Sequence, residues 1–437
     1  MSPDAMVFHL AAATAVILVV AHAAAGAARW LGQPVVIGQL IGGIALGPTV
    51  LGAVAPGLAR ELFPPGIAPV LGGLSQTALI AFLFCVGCEL DLTVLRRRAR
   101  TVLGVSSASF LVPMAAGAGL ALLLEGPFVQ LGAPAGMPAP AVLFAGVALS
   151  VTAVPVLAAV LRHNGLTGTS PGVIALAAAG LTDLVGWSVL TALMLDGGPG
   201  GGGWAVRLMW LLLFTVAMVL FVRPLLRRLF GPGRPNGPYR VGLVIAFAGA
   251  SAWVTDTLGL HVIFGAFLAG VVMPRDGGAR DQALLRPLHE VSGVLLPFFF
   301  VVSGSHVAVG SLDAGGVAVC VLVTALAITT KVASGTVAAR LSGVARDDAR
   351  TIGVLLSTRG LTELIALDAG RQAGLVGGLL YTVFVLMALA TTLATQPLLG
   401  LVRRLSTPPP PKHPTAPPPP QPHPPDPTAP HPTTGPP

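Results

Sequence analysis

Leu149-Ser-Val-Thr-Ala-Val-Pro155 interrupts an apolar run that extends from about residue 139 to 161. The run is long enough to cross a hydrocarbon core of about 30 Å as a helix. The proline in it leaves backbone carbonyls without their helical donor. Such carbonyls can coordinate a cation, and Ser150 and Thr152 add hydroxyl oxygens nearby. A second interruption, Leu356-Ser-Thr-Arg-Gly-Leu-Thr-Glu363, falls inside the run over 350–369, where Ser357, Thr358 and Gly360 weaken the helix at depth.

Similar apolar runs recur along almost the whole chain. Of its 437 residues 54% are hydrophobic and 10% charged, whereas an average soluble domain carries roughly a quarter charged residues, so an ordinary soluble protein is excluded. A membrane barrel would show alternating segments of about ten residues and aromatic girdles. Alternation is absent and aromatics make up only 5% of the chain. Breaks at polar, Pro and Gly residues divide the chain into thirteen spans, over about 6–26, 34–54, 67–90, 101–124, 139–161, 170–195, 204–226, 239–257, 260–274, 288–311, 314–339, 350–369 and 376–402.

The arginines test this division, because cytoplasmic loops collect Lys and Arg. Of 23 arginines, 19 follow odd-numbered spans, from Arg29 and the Arg96–Arg100 group to Arg403 and Arg404, and only Arg60, Arg207 and Arg371 follow even-numbered ones. That asymmetry predicts an outside N-terminus and a cytoplasmic C-terminus, and it assigns the net charge of +8 to topology rather than to nucleic-acid binding. With this orientation, spans 4–6 begin inside and spans 11–13 begin outside. Each triplet carries its interrupted helix in the middle, the arrangement of inverted-repeat secondary transporters whose broken helices cross near the midplane.

Four charged residues lie deep within spans, away from their ends: Asp183 in span 6, Lys331 in span 11, and Arg359 and Glu363 in span 12. A central charge costs roughly 2.5–3.5 kcal/mol on insertion scales, so such residues face a protein interior or an aqueous cavity and pair there. Lys331 is one of two lysines in a chain that otherwise uses arginine. It suits either a group that titrates or a permanent partner for a carboxylate. Arg359 and Glu363, four apart and so on one helical face, read as a structural ion pair.

Other features read plainly. Cys85, Cys88 and Cys320 act as small hydrophobes within spans, and Cys85-Val-Gly-Cys88 is not a redox motif there. The first segment is a membrane helix rather than a signal peptide, because Asp4 stands where a basic region would be. His22, His261 and His306 receive no ligand role, and Glu89 and Asp91 read as interfacial charges. The Pro/Thr/His-rich stretch 405–437 reads as a disordered cytoplasmic tail. No loop is long enough to hide an ATPase and no nucleotide-binding domain follows, so an ion gradient is the expected driving force. No nucleophile–base set, phosphate loop or metal-ligand spacing marks an enzyme, and no cofactor is implied.

Taken in order, several stretches resemble the monovalent cation:proton antiporter-2 family of the sodium/proton exchanger-like superfamily over about residues 6–403. They are Gly38-Gln-Leu-Ile-Gly-Gly-Ile-Ala-Leu-Gly-Pro48, Phe84-Cys-Val-Gly-Cys-Glu-Leu-Asp91, the stretch around Thr152 and Pro155, Leu181-Thr-Asp-Leu-Val-Gly-Trp187, His261 to Pro274, Thr330-Lys331 and Arg359-Gly-Leu-Thr-Glu363. The resemblance implies an all-α membrane domain over 1–404. Helices over about 6–90 and 239–311 would form a dimer panel, 204–226 a linker, and 101–195 and 314–402 a moving core. It also implies that Asp183 takes a cation or protons alternately, with Lys331 opposite it. The family usually has Asn-Asp or Asp-Asp where this chain has Thr182-Asp183, and a threonine carries no charge there.

The resulting expectation is a multi-pass homodimer in a bacterial inner membrane that exchanges Na+ or K+ for H+ at a site of Asp183, Thr182, Thr152, Ser150 and Lys331. The cation would be bound by Asp183, with Arg359 and Glu363 as its structural pair. Two alternatives stay open: a proton-driven exporter of a charged organic metabolite, and a membrane sensor or scaffold without flux.

Overall fold

The computed structural model describes residues 2–89, 98–193, 204–230, 238–258, 262–274 and 282–405. The Pro-rich tail from 406 onward, Asp91 and His261 lie outside them. The described residues contain helices and no strands. Each span read from the sequence coincides with a helix or a pair of half-helices. In chain order these are α1 Pro3–Trp30, α2 Val35–Leu46, α3 Ala68–Glu89, α4 Ala99–Leu123, α5a Ala139–Ser150, α5b Val154–His163 and α6 Ser170–Leu193. They continue with α7a Trp204–Ala217, a π-helical turn over Met218–Val222, α7b Arg223–Phe230, α8 Pro238–Thr257, α9 Val262–Val272 and α10 Gln282–Gly304. The last are α11 Ala314–Leu341, α12a Arg346–Leu356, α12b Leu361–Gln372 and α13 Gly378–Leu405.

Among the described residues, ten helical segments are long and apolar enough to cross a membrane. The remaining three of the thirteen are α8, which carries Asp256 and Arg240, the short α9, and the charged, interrupted α12. Boundaries shift where polar residues extend a helix beyond its apolar part. Helix α10 begins at Gln282, and Arg286, expected in a loop, lies within it and pairs with Glu290 at 2.9 Å.

Helices α1, α2, α3, α8, α9 and α10 pack on one another, and α4, α5, α6, α11, α12 and α13 do likewise. Within the second set the two triplets repeat one pattern. Helix α4 packs on α5a and α6, and α11 packs on α12a and α13; α5b touches α6 as α12b touches α13. Helices α4 and α11 meet each other and join the repeats.

Apolar tails offer no solvent contrast that would drive helices together, so close contact depends on small residues. The crossing of α3 and α9 is the sharpest instance: a Cβ on Gly87 would meet the Phe267 carbonyl, and one on Gly270 would meet the Phe84 carbonyl. Backbone atoms cannot step aside as a flexible side chain can. Overpacking typically costs about 1–3 kcal/mol, and this should outweigh the gain in helix propensity of about 1 kcal/mol that replacing Gly by Ala brings. Gly270→Ala is therefore expected to lower the melting temperature of the purified protein in detergent. Gly72→Ala in α3, where a Cβ meets nothing within 4 Å, should leave it unchanged or raise it slightly. Equal melting temperatures for the two variants would contradict this account of the crossing.

Candidate ion site

Both interrupted helices are broken outright. Helix α5a stops at Ser150, Val151 and Ala153 are extended, and α5b restarts at Val154 with Pro155 in its first turn, where a missing N–H costs nothing. Helix α12a stops at Leu356, and α12b restarts at Leu361 after Gly360, whose φ of 154° suits only glycine. A side chain at Gly360 would also run into Val156 in the first turn of α5b. The breaks touch: the Ala153 amide donates to the Thr358 carbonyl at 3.1 Å, and the Thr152 hydroxyl donates to the Leu356 carbonyl at 3.0 Å.

Each break leaves helix-end carbonyls without intrahelical donors, at a depth where water does not supply them. At α5a the donors are cations. Arg359 donates to the Ala148 carbonyl at 2.5 Å and also to Leu149, and Lys331 donates to the Ser150 carbonyl and, at 2.8 Å, to the Thr152 hydroxyl. Positive charge belongs there, because the C-terminal end of a helix carries the negative end of its dipole. The carbonyls freed where α5a ends are thus occupied by the protein's own cations. At α12a the donors are neutral: Thr152 and Ala153 bond Leu356 and Thr358, and Thr392 bonds the Arg359 carbonyl at 2.8 Å.

The carboxylates sit at the opposite, positive helix ends. Glu363 lies in the first turn of α12b and pairs with Arg359 at 3.0 Å, both side chains being fully buried. The pair forms as the sequence suggested, for a different reason. Arg359 lies in the break rather than on a helical face, and its guanidinium spans the Glu363 carboxylate and the end of α5a. Asp183, on α6, is 2% exposed, and neither of its oxygens has a hydrogen-bond partner within the protein. Lys331 and the Val154 amide at the start of α5b are its favourable electrostatic neighbours, but neither closes a hydrogen bond to it. Lys331, expected opposite Asp183, acts on it through space while its own hydrogen bonds go to the α5 break.

Asp183 lines a small cavity, about 10 Å³, with Val147, Val151, Gly186, Trp187, Leu190, Thr362 and Ala366. That is about the space of one water molecule. Three hydroxyls assigned to the site from the sequence have other acceptors. Ser150 donates to Val147 at 2.9 Å, Thr152 to Leu356, and Thr182 to Ala179 at 2.8 Å within its own helix. The sequence reading missed Thr362, which shares the cavity with Asp183, and Thr392, which supports the break from α13. The signal for Thr362 was present in the quoted stretch 356–363, had its hydroxyls been weighed as ligands in the way that those of span 5 were.

Comparison with known proteins agrees with this architecture. The family model described as "Sodium/hydrogen exchanger, transmembrane" matches residues 15–400. The Na(+)/H(+) antiporter NhaS4 of Synechocystis is 34% identical over 371 residues, covering 84% of this chain and 90% of the relative. Cation/H(+) antiporter 20 of Arabidopsis thaliana is 36% identical over 400 residues, covering 88% of this chain and 47% of the relative. K(+)/H(+) antiporter 1 of Saccharomyces cerevisiae is 32% identical over 380 residues, covering 85% and 43%. The chain thus spans about half the length of these plant and yeast relatives and most of the cyanobacterial one. Among solved structures, the sodium proton antiporter MjNhaP1 of Methanocaldococcus jannaschii at pH 8 superposes with a TM-score of 0.65 at 17% identity, covering 90% of this chain and 99% of that one. Two inverted triplets, broken helices in contact, and a match to the family over nearly the whole membrane region lead to one conclusion: this chain belongs to the sodium/hydrogen exchanger family of transmembrane proteins.

Proposed function

We propose that the protein is a secondary antiporter that exchanges Na+ or K+ for H+ at Asp183 by alternating access. The observation that carries this is the Asp183 carboxylate: buried, without a hydrogen-bond partner in the protein, and facing a cavity at the crossing of two broken helices. A lone buried carboxylate is costly as an anion and is relieved by either a proton or a cation. The relatives' names, which include Na+/H+ and K+/H+ antiporters, support the same pair of ions. A cavity of this size suits a dehydrated inorganic ion rather than a charged organic metabolite.

In the cycle, Asp183 opens to one side, holding a proton or electrostatically balanced by Lys331. A cation displaces that partner, the site closes, and the carboxylate releases the cation on the other side. Helices α4–α6 and α11–α13 would move as a body against a panel of α1–α3 and α8–α10, with α7 as linker and the panel as homodimer interface. Packing supports this division, since each set packs chiefly on itself, and a neutral contact between them such as the Ala308 amide donating to Thr382 at 3.1 Å is one that a sliding body can exchange. In this reading Ser150, Thr152 and Thr182 supply oxygens on the segments beside Asp183 rather than in its closed cavity, and Arg359 with Glu363 holds the crossing. The arginine asymmetry supports a cytoplasmic C-terminus, and the Ala-, Gly- and Arg-rich composition a bacterial inner membrane.

Three outcomes test this reading. In proteoliposomes containing a pH dye, adding Na+ or K+ should release protons, and Asp183→Asn should reduce that response to the level of empty vesicles; a variant exchanging at the normal rate would refute the assignment, and silence of the intact protein toward every inorganic cation would favour an organic-ion exporter or a scaffold. Because cation and proton compete for one carboxylate, the apparent KM for the cation should rise about tenfold per unit of falling pH on the acid side, at nearly constant maximal rate. A KM independent of pH would mean separate sites. Arg359→Ala leaves Glu363 and the α5a carbonyls unpaired in the interior, so it should cost about 3–5 kcal/mol and yield little folded protein. Glu363→Gln, which keeps an acceptor for the guanidinium, should be milder, and similar yields and melting temperatures would remove Arg359 from its bracing role.

A further inference from the structure

A threonine hydroxyl inside a helix can donate to a carbonyl three or four residues back. For Thr362 those carbonyls are Arg359 and Thr358. The first accepts from the Thr392 hydroxyl at 2.8 Å and the second from the Ala153 amide at 3.1 Å. The backbone also reverses hand at Gly360, so α12b starts only one residue before Thr362. Thr362 is 0% exposed and lines the cavity shared with Asp183, and its hydroxyl has no hydrogen-bond partner. Ser150, Thr152, Thr182 and Thr392 donate as described, and Ser357 to the Val354 carbonyl at 2.7 Å, and none of these five lines the cavity. The Thr358 hydroxyl is also unpartnered but does not line the cavity.

We infer that the Thr362 hydroxyl oxygen is a direct ligand of the transported monovalent cation and helps set which alkali ion the site prefers. The inference rests on the reading of Asp183 as the ion site and adds a ligand from the other inverted repeat. Asp183 supplies one negative charge and Lys331 one positive charge nearby, so charge alone holds the ion weakly. Neutral oxygens must replace the rest of its hydration shell. The number and spacing of such oxygens distinguish a small alkali ion from a large one, whereas a point charge distinguishes them poorly. Carboxylate and hydroxyl are both hard oxygen donors, the class suited to hard cations.

Thr362→Val removes the oxygen at constant shape, and Thr362→Ser keeps it in a smaller side chain. In proteoliposomes, the valine variant should raise the apparent KM for the preferred cation about tenfold or more and alter the ratio of KM values for Na+, K+ and Li+, with a much smaller change in maximal rate; the serine variant should restore most of both. As a second readout, rising Na+ or K+ should raise the melting temperature of the intact protein in detergent. Thr362→Val and Thr362→Ala, which fills less space and keeps the test open should valine not fold, should shift that stabilisation to higher concentration. Wild-type KM values and ion ratios in the valine or alanine variant would overturn the inference even when Asp183→Asn is inactive. Exchange persisting in Asp183→Asn would instead overturn the Asp183 reading on which it rests.

Discussion

The carbonyls of Ala148, Leu149 and Ser150 end a helix in the middle of the membrane, and the structure is organised around satisfying them. Water is not available there, and each unsatisfied group would cost several kcal/mol. The donors come from the opposite repeat, Arg359 from the α12 break and Lys331 from α11. One guanidinium meets two carbonyls and a carboxylate, a geometry that its planar fork permits and an ammonium cannot copy. The crossing of the two broken helices is therefore a mutual dependence between the repeats.

This arrangement divides the four intramembrane charges into two roles. Arg359 and Glu363 neutralise each other within the crossing. Lys331 and Asp183 form no such pair: the lysine is spent on backbone and hydroxyl, and the carboxylate keeps its lone pairs for something else. The difference follows from position. Glu363 stands in the first turn of the half-helix that follows Arg359, within reach of its side chain, whereas Asp183 belongs to the neighbouring α6 and faces a cavity. Buried charge held in an ion pair braces the helices, and buried charge outside such a pair is available for exchange.

Much of the architecture was legible in the sequence because membranes enforce strong rules. Twenty-residue apolar runs, arginine asymmetry, and Pro155 and Gly360 located the helices and both breaks. The charged quartet was also readable, since ionisable residues at depth are rare. Less legible was the partner of each polar group. Residue types identified Ser150, Thr152 and Thr182 as oxygen sources, but which carbonyl each hydroxyl reaches depends on contacts between segments some 200 residues apart, as with Thr152 and Leu356. For the same reason Thr362 went unnoticed: that its hydroxyl has no partner and that it shares a cavity with Asp183 depend on how the break folds around Gly360 and on the neighbouring α6.

The capping of α5a by residues 331 and 359 also bears on how the protein is made. The α5 break is synthesised some 180 residues before Lys331 and 210 before Arg359. During that interval the first triplet carries uncapped carbonyls that lipid cannot satisfy. Its two half-helices consequently have no stable resting place in the bilayer on their own, and must be sheltered by water, by lipid headgroups or by the insertion machinery until the second triplet arrives. Maturation of this chain is thus a late, concerted event rather than the addition of one finished helix at a time.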